Sequence, residues 1–173
     1  PEGSVAALPE ISRRLRQDRS LSGATQDALA GLLAELGRGD LMDLQERYVA
    51  QFDTGRSTSL HLFEHVHGDS RDRGQAMVDL NGLYARSGFA LAANELPDFL
   101  PAVLVYLSTR PVKEVRDMLE DCMHIVRAVG ERLLDSGSPY AAVFAALLDL
   151  RGEPPLVAGR SGIRRDPSLD EDW

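Results

Sequence analysis

Apolar residues recur three and four positions apart along nearly the whole chain, whereas the strict apolar and polar alternation of a β-strand is scarce. Between residues 25 and 36, for example, Leu29, Leu32, Leu33 and Leu36 form one stripe of a helix. With 173 residues and 43% apolar content, the chain is long enough to bury one core. The pattern therefore predicts an all-α fold: a single-domain helical bundle of about eight helices.

Capping residues and helix breakers divide this pattern into segments. Asp40 and Asp69 have the side chain of a helix N-cap, and Gly152 can end the last helix. The first helix begins close to residue 1, which leaves open that a further helix precedes it. We predict a helical domain over 1–152 and a mobile acidic tail over 153–173. The predicted helices span residues 6–18, 25–36, 41–52, 57–67, 70–87, 99–107, 111–134 and 139–151.

The charge of the chain narrows the classes of partner. A net charge of −8 and a pI near 5.0 disfavour nucleic-acid binding, which needs a cationic face, and favour basic partners. No apolar run approaches the roughly 20 residues of a membrane helix, so stable membrane insertion is not expected. The single cysteine, Cys122, lies in an apolar stripe and indicates a buried thiol in a reducing compartment. We therefore expect a cytoplasmic protein.

One short motif is typical of an enzyme. His61, Glu64 and His65 match the H-x-x-E-H pattern of a group of zinc peptidases, in which two histidines one helical turn apart bind zinc and the glutamate acts as general base. A catalytic zinc needs a third protein ligand, and no second glutamate-bearing motif follows. A zinc-dependent hydrolase is therefore the alternative hypothesis, and ordinary surface or capping histidines are the preferred interpretation.

Other chemistry has little support in the sequence. It contains no nucleophile elbow, no phosphate-binding P-loop and no dinucleotide-binding glycine turn, so we predict a protein that is not an enzyme and has no cofactor.

Arg71 and Arg73 follow Asp69 at a predicted helix start, where their positive charge opposes the helix dipole. We expect them to pair with Glu46, Asp53 or Asp98, or else to contact a ligand.

Several longer motifs, in order along the chain, carry a family resemblance. They are LQERYVAQFD at 44–53, SLHL at 59–62, HGDSRDRGQAM at 67–77, GF at 88–89 and ELPD at 95–98. Together they resemble the nitrate reductase delta-subunit family, the NarJ-type assembly chaperones. The likeness covers about residues 40–108 and is weaker in the flanking helices and in the tail.

This resemblance implies a fold shared with the TorD and DmsD chaperones. It also implies a system-specific chaperone that binds the N-terminal leader of the nitrate reductase alpha subunit and assists molybdenum cofactor insertion, without being part of the final enzyme. A chaperone of the same fold for another molybdenum enzyme remains an alternative. Leaders of this kind are basic amphipathic segments, which would suit an acidic chain.

We predict that the leader's apolar face enters a groove between helices and that its basic residues meet an acidic rim. Aromatic and aliphatic side chains would form the walls, carboxylates would form the rim, and two arginines would hold that rim in place. The residues predicted to contact the peptide are Glu46, Tyr48, Phe52, Asp69, Arg71, Arg73, Glu95, Pro97, Asp98, Leu104 and Tyr106.

Overall fold

The computed structural model describes residues 2–68, 70–92 and 94–159, with side chains described from residue 6 onward. Within these ranges the chain forms eight α-helices and a single 3₁₀ turn, and the only β-type pairing is an isolated bridge between His61 and Phe99. The predicted all-α fold class is confirmed. The helices are α1 (Glu2–Gln17), α2 (Gly23–Arg38), α3 (Leu41–Phe52), α4 (Leu62–His67), α5 (Arg71–Arg86), α6 (Leu100–Ser108), α7 (Val112–Asp135) and α8 (Ala141–Arg151).

Local signals placed several helix ends correctly. The Asp40 carboxylate accepts hydrogen bonds from the backbone N–H groups of Met42 (2.9 Å) and Asp43 (3.4 Å), so it caps α3 as predicted. Gly152 ends α8 with a φ of 70°, a conformation that glycine adopts without the strain of a Cβ. Asp69, the predicted cap of α5, lies outside the described residues. These helix ends depend on a few neighbouring residues.

The single helix predicted over 57–67 is wrong in its first half. The structure instead has a 3₁₀ turn, Arg56–Thr58, and then the six-residue helix α4. Extended backbone separates them, because Leu100 donates a backbone hydrogen bond of 2.8 Å to the carbonyl of Leu60, and His61 bridges to Phe99. A partner from a distant segment thus outweighs the local helical tendency.

Helix α7 lies at the centre of the bundle. It packs against α4, α6, α8 and the 3₁₀ turn. Val126 and Leu133 of α7 are fully buried, as are Val103 of α6 and Leu148 of α8. Helices α1 and α2 lie beyond α8, where Leu21 and Leu29 form a smaller cluster with Ala142. The core therefore follows α7 and α8 along the molecule.

Residues 153–159 follow α8 without regular secondary structure but are held against α7. The Arg127 guanidinium donates hydrogen bonds to the carbonyls of Pro154 (2.8 Å) and Pro155 (3.4 Å), and Leu156 packs on the core. The backbone N–H of Gly159 donates to the Asp135 carboxylate at 2.6 Å. The predicted mobile tail thus begins with a segment that α7 fixes, and its remainder, 160–173, lies outside the described residues. The domain boundary at residue 152 stays a prediction.

Gly130 of α7 allows the closest approach between α7 and its neighbours. A Cβ added at this position would lie 2.8 Å from the Cβ of Phe144 in α8 and 2.9 Å from Cδ2 of Leu156. Real Cβ atoms do not tolerate contacts this short, so α8 or the 153–159 segment would have to move. Gly31 in α2, in contrast, has open space around its Cα.

The two glycines make a matched pair of substitutions. We expect Gly130→Ala to lower the free energy of unfolding by roughly 1–2 kcal/mol, because overpacking outweighs the gain in helix propensity. We expect Gly31→Ala to raise it by up to about 1 kcal/mol, since only the propensity changes. Urea denaturation followed by circular dichroism measures both. Equal effects of the two substitutions would contradict the close packing at Gly130.

Candidate functional site

Helices α4, α5, α6 and α7 enclose a cleft of about 670 Å³. Its floor is apolar and comes from all four helices. Another cavity, of about 250 Å³, lies between α2, α3 and the turn before α8. The residues lining the cleft are Leu62, Phe63, Val66, His67, Leu80, Leu83, Val103, Tyr106, Leu107, Glu114, Asp117, Met118, Asp121, Cys122, His124 and Ile125.

Three exposed carboxylates of α7 border the cleft. Glu114, Asp117 and Asp121 are spaced three and four residues apart, which places them on one side of the helix. The Lys113 ammonium donates a hydrogen bond of 2.8 Å to Asp117, and this contact raises the pKa of Lys113. The cleft therefore has an acidic edge beside an apolar floor.

This acidic edge was not predicted from the sequence, although the sequence contains a signal for it. The carboxylates at 114, 117 and 121 run beside the apolar stripe of Met118, Cys122 and Ile125. A row of acids next to an apolar stripe usually forms the solvated face of an amphipathic helix. Only the packing of α4, α5 and α6 around α7 turns this boundary into the edge of a cleft.

Cys122 lies in the floor of the cleft and is buried, as the sequence predicted. Burial raises the pKa of its thiol to about 11. The thiol therefore stays protonated near neutral pH, and a protonated thiol is a poor nucleophile and metal ligand. Its role in the cleft is that of a small apolar side chain.

The short helix α4 forms one wall of the cleft and is anchored by Asp98. The Asp98 carboxylate accepts a hydrogen bond from the backbone N–H of Phe63 at 3.0 Å and lies 3.3 Å from Nδ1 of His61. The backbone carbonyl of Asp98 accepts another from the N–H of Leu62 at 3.1 Å. Asp98 itself has no exposed surface. It therefore acts inside the protein and does not form part of the acidic surface.

Arg73 provides a second contact between α4 and α5. Its guanidinium lies 3.2 Å from the Glu64 carboxylate, and each side chain is about one quarter exposed. Burial alone would raise the pKa of Glu64, but hydrogen bonds from Ser59 and Arg73 and the nearby charges of Arg73 and His61 bring it below its ordinary value. Arg73 is thus paired, but with Glu64 rather than with Glu46, Asp53 or Asp98 as predicted. Arg71 is exposed in the first turn of α5.

The three residues of the zinc motif have other partners. His61 precedes α4 in an extended conformation and faces Asp98, whereas Nε2 of His65 lies 2.9 Å from the carbonyl of Ser59. Glu64 pairs with Arg73. Nowhere in the described residues do three histidine, cysteine, aspartate or glutamate side chains come together in a way that could hold a metal ion. The arrangement therefore gives the zinc hypothesis no support.

Tyr106, one of the predicted wall residues, lines the cleft. Its ring is 2% exposed and lies 4.7 Å from the ring of Tyr84 and 5.5 Å from that of Phe89. The hydroxyl of Tyr84 donates a 2.8 Å hydrogen bond to the carbonyl of Pro97, which is itself buried. These aromatic contacts tie the 95–98 loop to the floor of the cleft.

The other predicted contact residues that the structure describes lie outside the lining of the cleft. Phe52 is buried and Tyr48 half-buried, and their rings lie 5.2 Å and 6.1 Å from that of Tyr140. Leu104 packs on the main core from its partly buried position. Glu46 and Glu95 are exposed. Asp69 lies outside the described residues.

None of the helices in the described ranges combines the length and the apolar character needed to cross a membrane.

Comparisons with known proteins agree with the resemblance seen in the motifs. A sequence model of the family described as "Nitrate reductase delta subunit" matches residues 18–146. The nitrate reductase molybdenum cofactor assembly chaperone NarJ of Escherichia coli (strain K12) is 43% identical over 141 residues, which are 82% of this chain and 60% of that protein.

Two further relatives carry similar names. The probable nitrate reductase molybdenum cofactor assembly chaperone NarW of the same strain is 48% identical over 112 residues, 65% of this chain and 48% of that protein. The probable chaperone NarJ of Bacillus subtilis (strain 168) is 33% identical over 105 residues, 61% of this chain and 57% of that protein.

The chain thus spans 60% or less of the length of these relatives. The family match includes α2 to α7 in full, and with them every residue that lines the cleft. Taken with the identity to NarJ over most of the chain, this match shows that the chain belongs to the nitrate reductase delta-subunit family.

Proposed function

We propose that this chain is an assembly chaperone for nitrate reductase, which binds the N-terminal leader of the catalytic alpha subunit in the cleft between α4 and α7. The names of the relatives support the coarser part of this proposal, a role in molybdenum cofactor assembly of nitrate reductase. The cleft supports the finer part. We propose no catalytic role and no cofactor of its own for the chain.

The observation that carries the proposal is an apolar cleft with an acidic edge. The α7 residues that line it run from Glu114 to Ile125, a rise of about 17 Å at about 1.5 Å per residue, or roughly three helical turns. Its volume lies in the ordinary range for ligand pockets, which suits a few side chains from one face of a helix. An amphipathic helix laid in a groove presents such a face.

The charge at the edge of the cleft also suits a basic leader. Glu114, Asp117 and Asp121 border the apolar floor on one side, where they would meet basic residues next to the apolar stripe of the leader. Of the contacts predicted from the sequence, we retain Tyr106 within the cleft. Glu46 and Glu95 are exposed and remain predicted contacts for parts of the client outside it. The buried thiol of Cys122 suits the reducing cytoplasm in which we place this activity.

Two exposed valines test the apolar part of the proposal. Val66 lines the cleft and is 53% exposed, whereas Val78 on α5 is 64% exposed and outside the cleft lining. We expect Val66→Lys to weaken binding of a synthetic alpha-subunit leader at least tenfold. The lysine places a positive charge, of the same sign as the basic residues of the leader, in the apolar lining of the cleft. Val78→Lys should bind as the unmodified chain does. Isothermal titration calorimetry measures both affinities, and equal affinities would place the leader elsewhere.

A charge-matched pair of triple variants tests the acidic edge. We expect E114Q/D117N/D121N to weaken leader binding by roughly tenfold at low salt, since each partly exposed ion pair contributes about 0.2–1 kcal/mol. The control E10Q/D27N/D43N removes the same charge from α1, α2 and α3 and should leave affinity within about twofold. The advantage of the unmodified chain over the first variant should shrink as salt rises from about 0.05 to 0.5 M.

The same titrations decide between clients. A leader from a different molybdenum enzyme, matched in length and charge, serves as the competitor. Absence of any heat with the nitrate reductase leader, together with binding of the other leader, would overturn the proposed client while leaving the family assignment intact.

A further inference from the structure

We propose that Asp98 is a positioning residue that fixes α4 as a wall of the cleft and so sets its width. This inference rests on the proposed function only for its consequence in peptide binding. The positioning itself concerns the free chain and can be measured without a peptide.

Helix α4 contributes several residues to the lining of the cleft, but a helix this short has little stability of its own. It supplies Leu62, Phe63, Val66 and His67 to the lining, although it is only six residues long. Isolated helices of this length are not stable in water, because the few hydrogen bonds they form do not offset the unfavourable free energy of nucleation. The position of this wall therefore depends on contacts made from outside the helix.

Asp98 makes the innermost of these contacts. The first backbone N–H groups of a helix have no acceptor within the helix. The Asp98 carbonyl and carboxylate accept those of Leu62 (3.1 Å) and Phe63 (3.0 Å), the first two residues of α4. Nδ1 of His61, just before the helix, lies 3.3 Å from the other carboxylate oxygen. One buried residue thus holds three consecutive positions at the start of the wall.

The outer side of α4 has separate anchors. Arg73 reaches Glu64 from α5, and His65 contacts the carbonyl of Ser59. Both are partly exposed, whereas Asp98 has no exposed surface. Hydrogen bonds to a buried charged acceptor are stronger than those between neutral groups, and an unsatisfied buried donor is costly. Loss of the Asp98 carboxylate should therefore release α4 while the rest of the bundle stays folded.

Cys122 provides a direct readout of this release. It lies in the floor of the cleft of which α4 forms one wall, and burial raises the pKa of its thiol to about 11, so we expect slow alkylation in the unmodified chain. If α4 moves away from α7, the cleft widens, and we expect the thiol to become more exposed and to react faster. Cys122 is the single cysteine of the chain, which makes the signal specific.

The experiment compares Asp98→Ala, Asp98→Asn and Leu148→Ala in the full chain. Leu148 is fully buried in α8 and outside the cleft lining, so Leu148→Ala controls for a loss of stability without a change at α4. All variants are measured at one temperature, about 20 °C below the Tm of the least stable variant. The readouts are the rate of Cys122 alkylation by iodoacetamide at pH 8 and the hydrogen exchange of residues 62–67.

We expect Asp98→Ala to increase both rates at least tenfold and Leu148→Ala to leave them within about twofold of the unmodified chain. Asp98→Asn keeps a neutral acceptor for Phe63 and should fall between them, at about two- to fivefold. If Asp98→Ala fails to fold, Asp98→Asn carries the test. Unchanged exchange at 62–67 in a folded Asp98 variant would overturn the positioning role.

Leader binding then connects the two proposals. Asp98→Ala should lose affinity for the leader about tenfold, whereas Leu148→Ala should keep it. If the unmodified chain binds no leader, the proposed function fails, but alkylation and exchange still decide the role of Asp98. If Asp98→Ala binds the leader as tightly as the unmodified chain while its α4 exchanges faster, the link between α4 and binding is wrong.

Discussion

The burial of α7 is the constraint on which the rest of the structure depends. One part of its surface packs against α8 and the 153–159 segment, where Gly130 lets Phe144 and Leu156 approach closely, and another part faces α4 and α6. The same 24-residue helix carries the core side chains Val126 and Leu133 and the carboxylates at the edge of the cleft. Core, cleft and the 153–159 segment are therefore all positioned from one helix.

A buried polar contact complements this apolar core. Asp98 accepts a hydrogen bond from the start of α4, and the carbonyl of the neighbouring Pro97 accepts one from the hydroxyl of Tyr84, whose ring contacts Tyr106. Glu95 and Asp98 of the ELPD motif were both predicted to contact the peptide, but Glu95 is exposed and Asp98 is fully enclosed. Because the Asp98 carboxylate has no exposed surface, it accepts its backbone hydrogen bond, from Phe63, inside the protein. This part of the motif therefore contributes to the position of the cleft wall rather than to its surface.

The local features of the fold were predictable because they depend on residues close together in the chain. The stripe from Leu29 to Leu36, the Asp40 cap and the glycine end of α8 each need only one or two turns of sequence. The first half of the segment 57–67 was predicted incorrectly because its conformation depends on Leu100 and Phe99, some forty residues away. The motifs of residues 44–98 also indicated the family, which the comparisons confirmed.

The sequence by itself determined the helical class, several helix ends and the family. Periodicity, capping and motif order each depend only on residues that are close together in the chain. Only the tertiary structure decided which acids border the cleft. Glu46, Glu95 and Asp98 look equivalent to Glu114, Asp117 and Asp121 as letters. Whether a carboxylate lies in solvent, in the interior or beside an apolar floor depends on which helices pack together, and that is settled by contacts between distant segments.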